Sequence, residues 1–211
     1  MEMHKLAPRI YHAIFKKQHE LFLSFIRIQE YYESPKFKGK IFTLDHFKKW
    51  YLKSSNDKNT KAYYTDWEAF NVPSSSLKPF FKGKFNPLSK EENNLIERLK
   101  NIKEKKFYII GTFTKRNKKD LKHEVAHALY YTNSNYKKQV NKILKQIDKE
   151  ECIKINNLLT KVEGYSKNVL ADETQAYILA DMASLKRNNI KISKLKVVHK
   201  ELTKNFIKYY K

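Results

Sequence analysis

The chain has 211 residues, 41% hydrophobic and 14% aromatic, which excludes a disordered segment and is enough to bury a core. Forty-four Lys and Arg against 22 Asp and Glu give a formal net charge of +22, but the lysines are scattered along the chain; solvated surface is the plainer reading, with a nucleic-acid partner as the alternative. Cys152 is the only cysteine, which excludes an intramolecular disulfide and a Cys-rich zinc site, and no apolar run approaches the ~18 to 20 residues of a membrane span. Met1 to Arg9 carry charge without an apolar leader core, so the expected setting is a reducing cytoplasm.

Residues 1–100 form an aromatic-rich N-terminal region that holds all five prolines and is expected to pack on the same domain as residues 101–211. His12 and His19, seven apart with no carboxylate pattern, read as surface residues. Leu21 to Ile28 is apolar enough for a buried strand or helix, and periodicity leaves both open. Thr43 is placed to cap a short helix carrying Leu44, Phe47, Trp50 and Tyr51. The stretch from Tyr63 to Pro79, with Asp66, Trp67, Asn71, Pro73 and three consecutive serines, reads as a long loop pinned by its aromatics. Ser89 and Glu92 make a capping box for an amphipathic helix that runs through Leu95, Ile96 and Leu99 to about Lys103.

Phe107 to Phe113 is β-rich and predicts a strand. Asp120 precedes a run of good helix formers, Leu121 to Tyr131; Asn133 and Ser134 break it before a second helix from about Tyr136 to Ile147. Asn168 can cap a helix from Val169 to about Lys186, and Ser193 another that sets Leu195, Val198, Leu202 and Phe206 on one stripe. A small β component beside mostly helical structure is an α+β fold.

The first of these helices carries His123-Glu124-Val125-Ala126-His127, an HExxH motif. Residues four apart lie one turn apart on nearly the same helix face, so both imidazoles can offer a nitrogen to one metal ion. Glu124 lies about 100° round the helix, beside the metal without ligating it, where it can take a proton from a water that zinc activates. With this His and Glu content, a shuffled chain shows the pattern roughly once in fifty sequences, so chance is a poor account of it. Catalytic zinc sites take three protein ligands and keep one position open. Glu173, in Leu170-Ala171-Asp172-Glu173-Thr174-Gln175-Ala176-Tyr177, is the first choice for the third, with Asp172, Glu163 and His199 as alternatives. Tyr177, Tyr165 and His199 are candidates for stabilising an oxyanion, Tyr177 foremost.

On the motif, the strand before it and the acidic helix after it, residues Phe107 to about Asp181 resemble the zincin metallopeptidases, most closely the gluzincin type. The resemblance implies a zincin-like catalytic core over residues 101–211, with a small sheet next to the HExxH helix. It implies Zn2+ bound by His123, His127 and Glu173, and Glu124 as general base. It also implies that the strand Tyr108 to Phe113 lines the cleft and pairs with an extended protein or peptide substrate. Gluzincins often carry an Asp four residues after the third ligand; Tyr177 stands there in this chain, and Asp120, Asp172 or Asp181 is left to orient the metal histidines. The expected activity is zinc-dependent hydrolysis of peptide bonds. The rival expectation is a basic nucleic-acid-binding protein whose zinc site is structural or vestigial.

Overall fold

The computed structural model describes residues 1–34, 36–54, 67, 69–113, 118–162 and 165–210, with the side chains of 54 and 118–120 left aside. The chain is α+β and divides into two compact units, Met1–Lys115 and Arg116–Lys211. The four strands among the described residues belong to the first unit, including the one expected to line a cleft. Among the described residues, no helix is long and apolar enough to cross a membrane.

The first unit opens with a hairpin, β1 (Glu2–Ala7) and β2 (Ile10–Phe15), whose turn places Arg9 at φ 66. Helix α1 (Gln18–Glu33) comes next, which settles Leu21 to Ile28 as helical, and then α2 (Leu44–Ser54), where the Thr43 hydroxyl accepts from the His46 N–H as expected of a cap. Within the stretch read as a loop, residues 69–73 are a strand, β3 (Ala69–Pro73), continued by a 3-10 turn (Ser74–Leu77) and the short α3 (Lys78–Phe81). Asp66 and residues 63–65 of that stretch lie outside the described residues. Helix α4 (Lys90–Lys100) starts with the expected capping box between Ser89 and Glu92, and β4 (Tyr108–Phe113) completes a sheet of order β1-β2-β4-β3.

The β2–β4 pair is parallel, while the two outer pairings are antiparallel. Parallel neighbours need a long crossover, and the chain between them supplies α1 to α4. Gly111 on β4 is what lets α1 lie against the sheet: a Cβ there would fall 2.6 Å from Phe25 and 2.9 Å from Leu21. His12 corrects its reading as a surface residue. It sits on β2, 7% exposed, with its Nε2 2.7 Å from the Thr112 hydroxyl, and burial, then the nearby His4, lower its pKa to about 4. His19, on α1, is exposed as expected.

The rest of this unit's core is aromatic. Phe37, Phe42, Phe47, Trp50 and Phe85 meet edge to face or tilted, and Phe80 stacks on Phe85 with ring centroids 4.0 Å apart. Inside it lies a closed ion pair. Arg27 Nε and Nη2 donate to the two Glu92 carboxylate oxygens, Nη1 and Nη2 also reach the Phe42 and Pro87 carbonyls, and Glu92 in turn accepts from the Ser89 N–H. One carboxylate therefore caps α4 and neutralises a buried guanidinium at once.

Every element of the second unit among its described residues is a helix or helical turn. Helix α5 (Lys118–Thr132) is succeeded by α6 (Ser134–Leu144) and α7 (Lys149–Asn157), then a π turn (Leu158–Val162) and a 3-10 turn (Lys167–Val169). The chain ends with α8 (Leu170–Ala180), α9 (Met182–Arg187) and α10 (Ile192–Tyr210). Asn133 separates α5 from α6 by accepting from the Tyr136 N–H, so the same residue ends one helix and caps the next. The single helix expected from Val169 to Lys186 is in fact two. Asp181 leaves helical geometry at φ −138 and its carboxylate accepts from the Ser184 N–H, which restarts the chain as α9. Leu195, Val198, Leu202 and Phe206 of α10 are buried along one stripe, as their spacing requires.

Candidate metal centre

Two antiparallel helices build the site. α5 packs along α8, and the small buried residues Ala126, Ala128 and Ala176 belong to these two helices. At one end of the contact Lys122 donates to the Leu179 carbonyl at 2.7 Å, satisfying an acceptor that the end of α8 leaves open. At the other end the HExxH face of α5 meets the first turn of α8.

There the structure brings together His123, His127 and Glu173. The two imidazole Nε2 atoms are 3.0 Å apart, and Glu173 Oε2 is 3.6 Å from His127 Nε2 and 3.9 Å from His123 Nε2. A tetrahedral ion with bonds of about 2.0 to 2.2 Å separates its ligand atoms by about 3.3 to 3.6 Å. The observed spacings bracket that range, so the three atoms fit a single small cation. His127 and Glu173 are buried and His123 is half-buried.

Asp172 takes a different place from its neighbour. Adjacent residues on a helix point about 100° apart, and on α8 this sets Asp172 and Glu173 against opposite nitrogens of one ring. Asp172 Oδ1 lies 2.9 Å from His127 Nδ1, whereas Glu173 faces Nε2. A carboxylate on Nδ1 fixes the proton there and turns the Nε2 lone pair toward the shared centre. Of the three aspartates left to orient the histidines, Asp172 does so for His127; Asp181 caps α9, and the Asp120 side chain lies outside the described residues.

The electrostatics agree with the geometry. Burial works to lower the His127 pKa, yet Asp172, by charge and hydrogen bond, and then Glu173 and Glu124 outweigh it and lift the group to about 10. Three carboxylates around one buried imidazole call for positive charge, which a proton or a metal cation can supply. Glu124 is half-buried and close enough to His127 to act on its charge without belonging to the ligand trio.

Tyr177, one turn after Glu173, sets its ring edge-on to His123 with centroids 5.4 Å apart, so it borders the site. His199, on α10, is under the influence of Lys122; burial first and that cation second lower its pKa, and it is not one of the trio. The Tyr165 N–H donates to the Leu159 carbonyl beyond the π turn. Glu163 and Gly164 lie outside the described residues.

The sequence reading missed Gln175 and Tyr136, which continue the Asp172 contact inward. Gln175 Nε2 donates to Asp172 Oδ1 at 3.1 Å, and the Tyr136 hydroxyl donates to Gln175 Oε1 at 2.8 Å. Both residues are fully buried. Their only sequence signal was a polar residue one turn from Asp172, too common to mark anything.

A second acidic group, Asp148, Glu150 and Glu151 at the start of α7, has a different character. Lys154 and Lys194 pair with it, and Glu151 also accepts from the Lys191 N–H, so its charge is already matched by the protein. Compared with family models, with curated proteins and with solved structures, the chain matches none of them.

Proposed function

We propose that the chain is a zinc-dependent metallopeptidase of the gluzincin type. The observation that carries this reading is the convergence of His123 Nε2, His127 Nε2 and Glu173 Oε2 on one point, with Asp172 orienting His127 from behind. Two imidazoles and one carboxylate, with no thiol, are a donor set suited to zinc and typical of its hydrolytic sites. Bound there, zinc supplies a Lewis acid that polarises a substrate carbonyl and makes water a nucleophile near neutral pH.

The chain's own residues supply the remaining parts. Glu124, on the turn of α5 that bears the two histidines, accepts a proton as the water oxygen attacks the scissile carbonyl carbon. It then delivers that proton to the amide nitrogen as the C–N bond breaks, so the products are a carboxylate and an amine. Tyr177, whose ring lies against that of His123, donates its phenol O–H in a hydrogen bond to the oxygen on which negative charge develops.

The test is metal analysis combined with one substitution. Chain purified without added metal and then titrated should take up about one zinc, and it should cleave an unstructured protein substrate in a reaction that a chelator stops. Glu124→Gln should keep the zinc and lose hydrolysis by about 10²- to 10⁴-fold, the range for removing a general base. An equally active Glu124→Gln variant, or a wild-type chain that takes up no zinc, would refute the assignment.

A further inference from the structure

The hydrogen bonds behind the metal centre run further than orienting one imidazole requires. His127 Nδ1, Asp172 Oδ1, Gln175 Nε2 and Oε1, and the Tyr136 hydroxyl form an unbroken series at 2.9, 3.1 and 2.8 Å, drawn from α5, α8 and α6. We propose that Gln175 and Tyr136 are positioning residues for the metal centre, holding Asp172, and through it the His127 ring, in the orientation that binds the cation. The inference rests on the metal-binding part of the function proposed for this site.

Each link has a physical direction. The Asp172 oxygen accepts two hydrogen bonds, from the imidazole and from the Gln175 amide, so its position is fixed from two sides. The amide can serve only with its NH2 group toward Asp172, because the reversed amide would face an oxygen to a carboxylate. The Tyr136 hydroxyl donates to Oε1 and so holds the amide in the orientation that Asp172 requires. Burial raises the Tyr136 phenol, with Asp172 adding to the effect, so the hydroxyl stays a donor at any working pH. Tyr136 is itself pinned through its backbone by the Asn133 cap, in the third residue of α6. The break between α5 and α6 therefore does more than end a helix: it delivers a hydroxyl to a point behind the site. Groups that orient a metal ligand typically affect metal affinity by about 10- to 100-fold. Tyr136, two links further back, should act more weakly.

The experiment measures zinc affinity by competition with a chelating dye. Tyr136→Phe should weaken zinc binding about fivefold and Gln175→Met about tenfold, with Asp172→Ala at least as costly. In the Asp172→Ala background the effect of Tyr136→Phe should vanish, because the series through which it acts is cut. The zinc-loaded protein offers a second readout, the NMR signal of the His127 Nδ1 proton, which should exchange faster with solvent in Tyr136→Phe and Gln175→Met. Should Tyr136→Phe fail to fold, Gln175→Met alone carries both measurements. Wild-type zinc affinity in both variants, or an equal loss from Tyr136→Phe with and without Asp172, would overturn the proposal and mark Tyr136 as a packing residue. A wild-type chain that binds zinc but cleaves no peptide removes the peptidase assignment and leaves this inference standing; one that binds no zinc removes both.

Discussion

Each of the two units buries charge, and they handle it in opposite ways. In the first, Arg27 and Glu92 meet inside an aromatic core, and every partner they need is protein: two carboxylate oxygens, two carbonyls and one N–H. In the second, His127 and Glu173 are buried with Asp172 and Glu124 close by, and three carboxylates act on one imidazole. A closed pair serves the fold, because its cost of desolvation is offset within the unit. An open cluster of carboxylates around an imidazole draws positive charge to itself, which a proton on that imidazole or a bound metal cation can supply. The acidic group at the start of α7 shows the same distinction inside one unit, since its lysines close it.

Breaking the closed pair should have the largest effect on stability. Arg27→Met leaves Glu92 buried without its cation and should destabilise the first unit by about 3 to 5 kcal/mol. Urea unfolding monitored by tryptophan fluorescence, which reports Trp50 and Trp67 of that unit, measures this. A loss no greater than that of a surface substitution would show that the pair is not the closed system described. Zinc uptake should be unchanged in the same variant.

The open cluster should respond to the cation itself. At free zinc about a hundredfold above its Kd, the second unit should gain about 2.7 kcal/mol, and its Tm should rise with zinc concentration. Glu173→Gln removes one of the ligand charges and should flatten that dependence. A second unit whose unfolding ignores zinc would place the cluster with the closed kind.

A separate, pH-dependent effect concerns a buried group that avoids charge altogether. Burial, and secondarily His4, hold His12 near 4 in the folded chain, against about 6.5 when unfolded. The unfolded chain therefore binds the extra proton first as pH falls. The contribution of His12 is complete above about pH 6.5 and is lost progressively toward pH 4, at up to about 1.4 kcal/mol per pH unit. Comparing unfolding midpoints across that window in wild type and His12→Gln isolates the contribution, which should be missing from the variant.

Helix signals with a local physical cause were legible in the sequence. The Ser89–Glu92 box, the Thr43 cap, the break at Asn133 and the α10 stripe each depend on residues within a few positions, and each appears where its spacing placed it. The strands of the hairpin and β3 were not legible. They are short, their apolar alternation is weak, and β2 and β4 pair across almost a hundred residues, which no local pattern records. The break at Asp181 escaped for a related reason: residues 169–187 are good helix formers on both sides, and one aspartate serves equally as a helix residue or a cap until the packing decides.

By itself the sequence determined that two imidazoles would stand one helical turn apart, with Glu124 beside them, because 3.6 residues per turn allow nothing else once the segment is helical. Only the tertiary structure decided how Asp172 and Glu173 divide their work. Both lie in the first turn of the same helix, and their spacing along the chain holds no information about which nitrogen of His127 each will face. That came from α8 packing antiparallel against α5, which turned one carboxylate toward Nε2 and the other toward Nδ1. It is also what placed Gln175 and Tyr136 behind them.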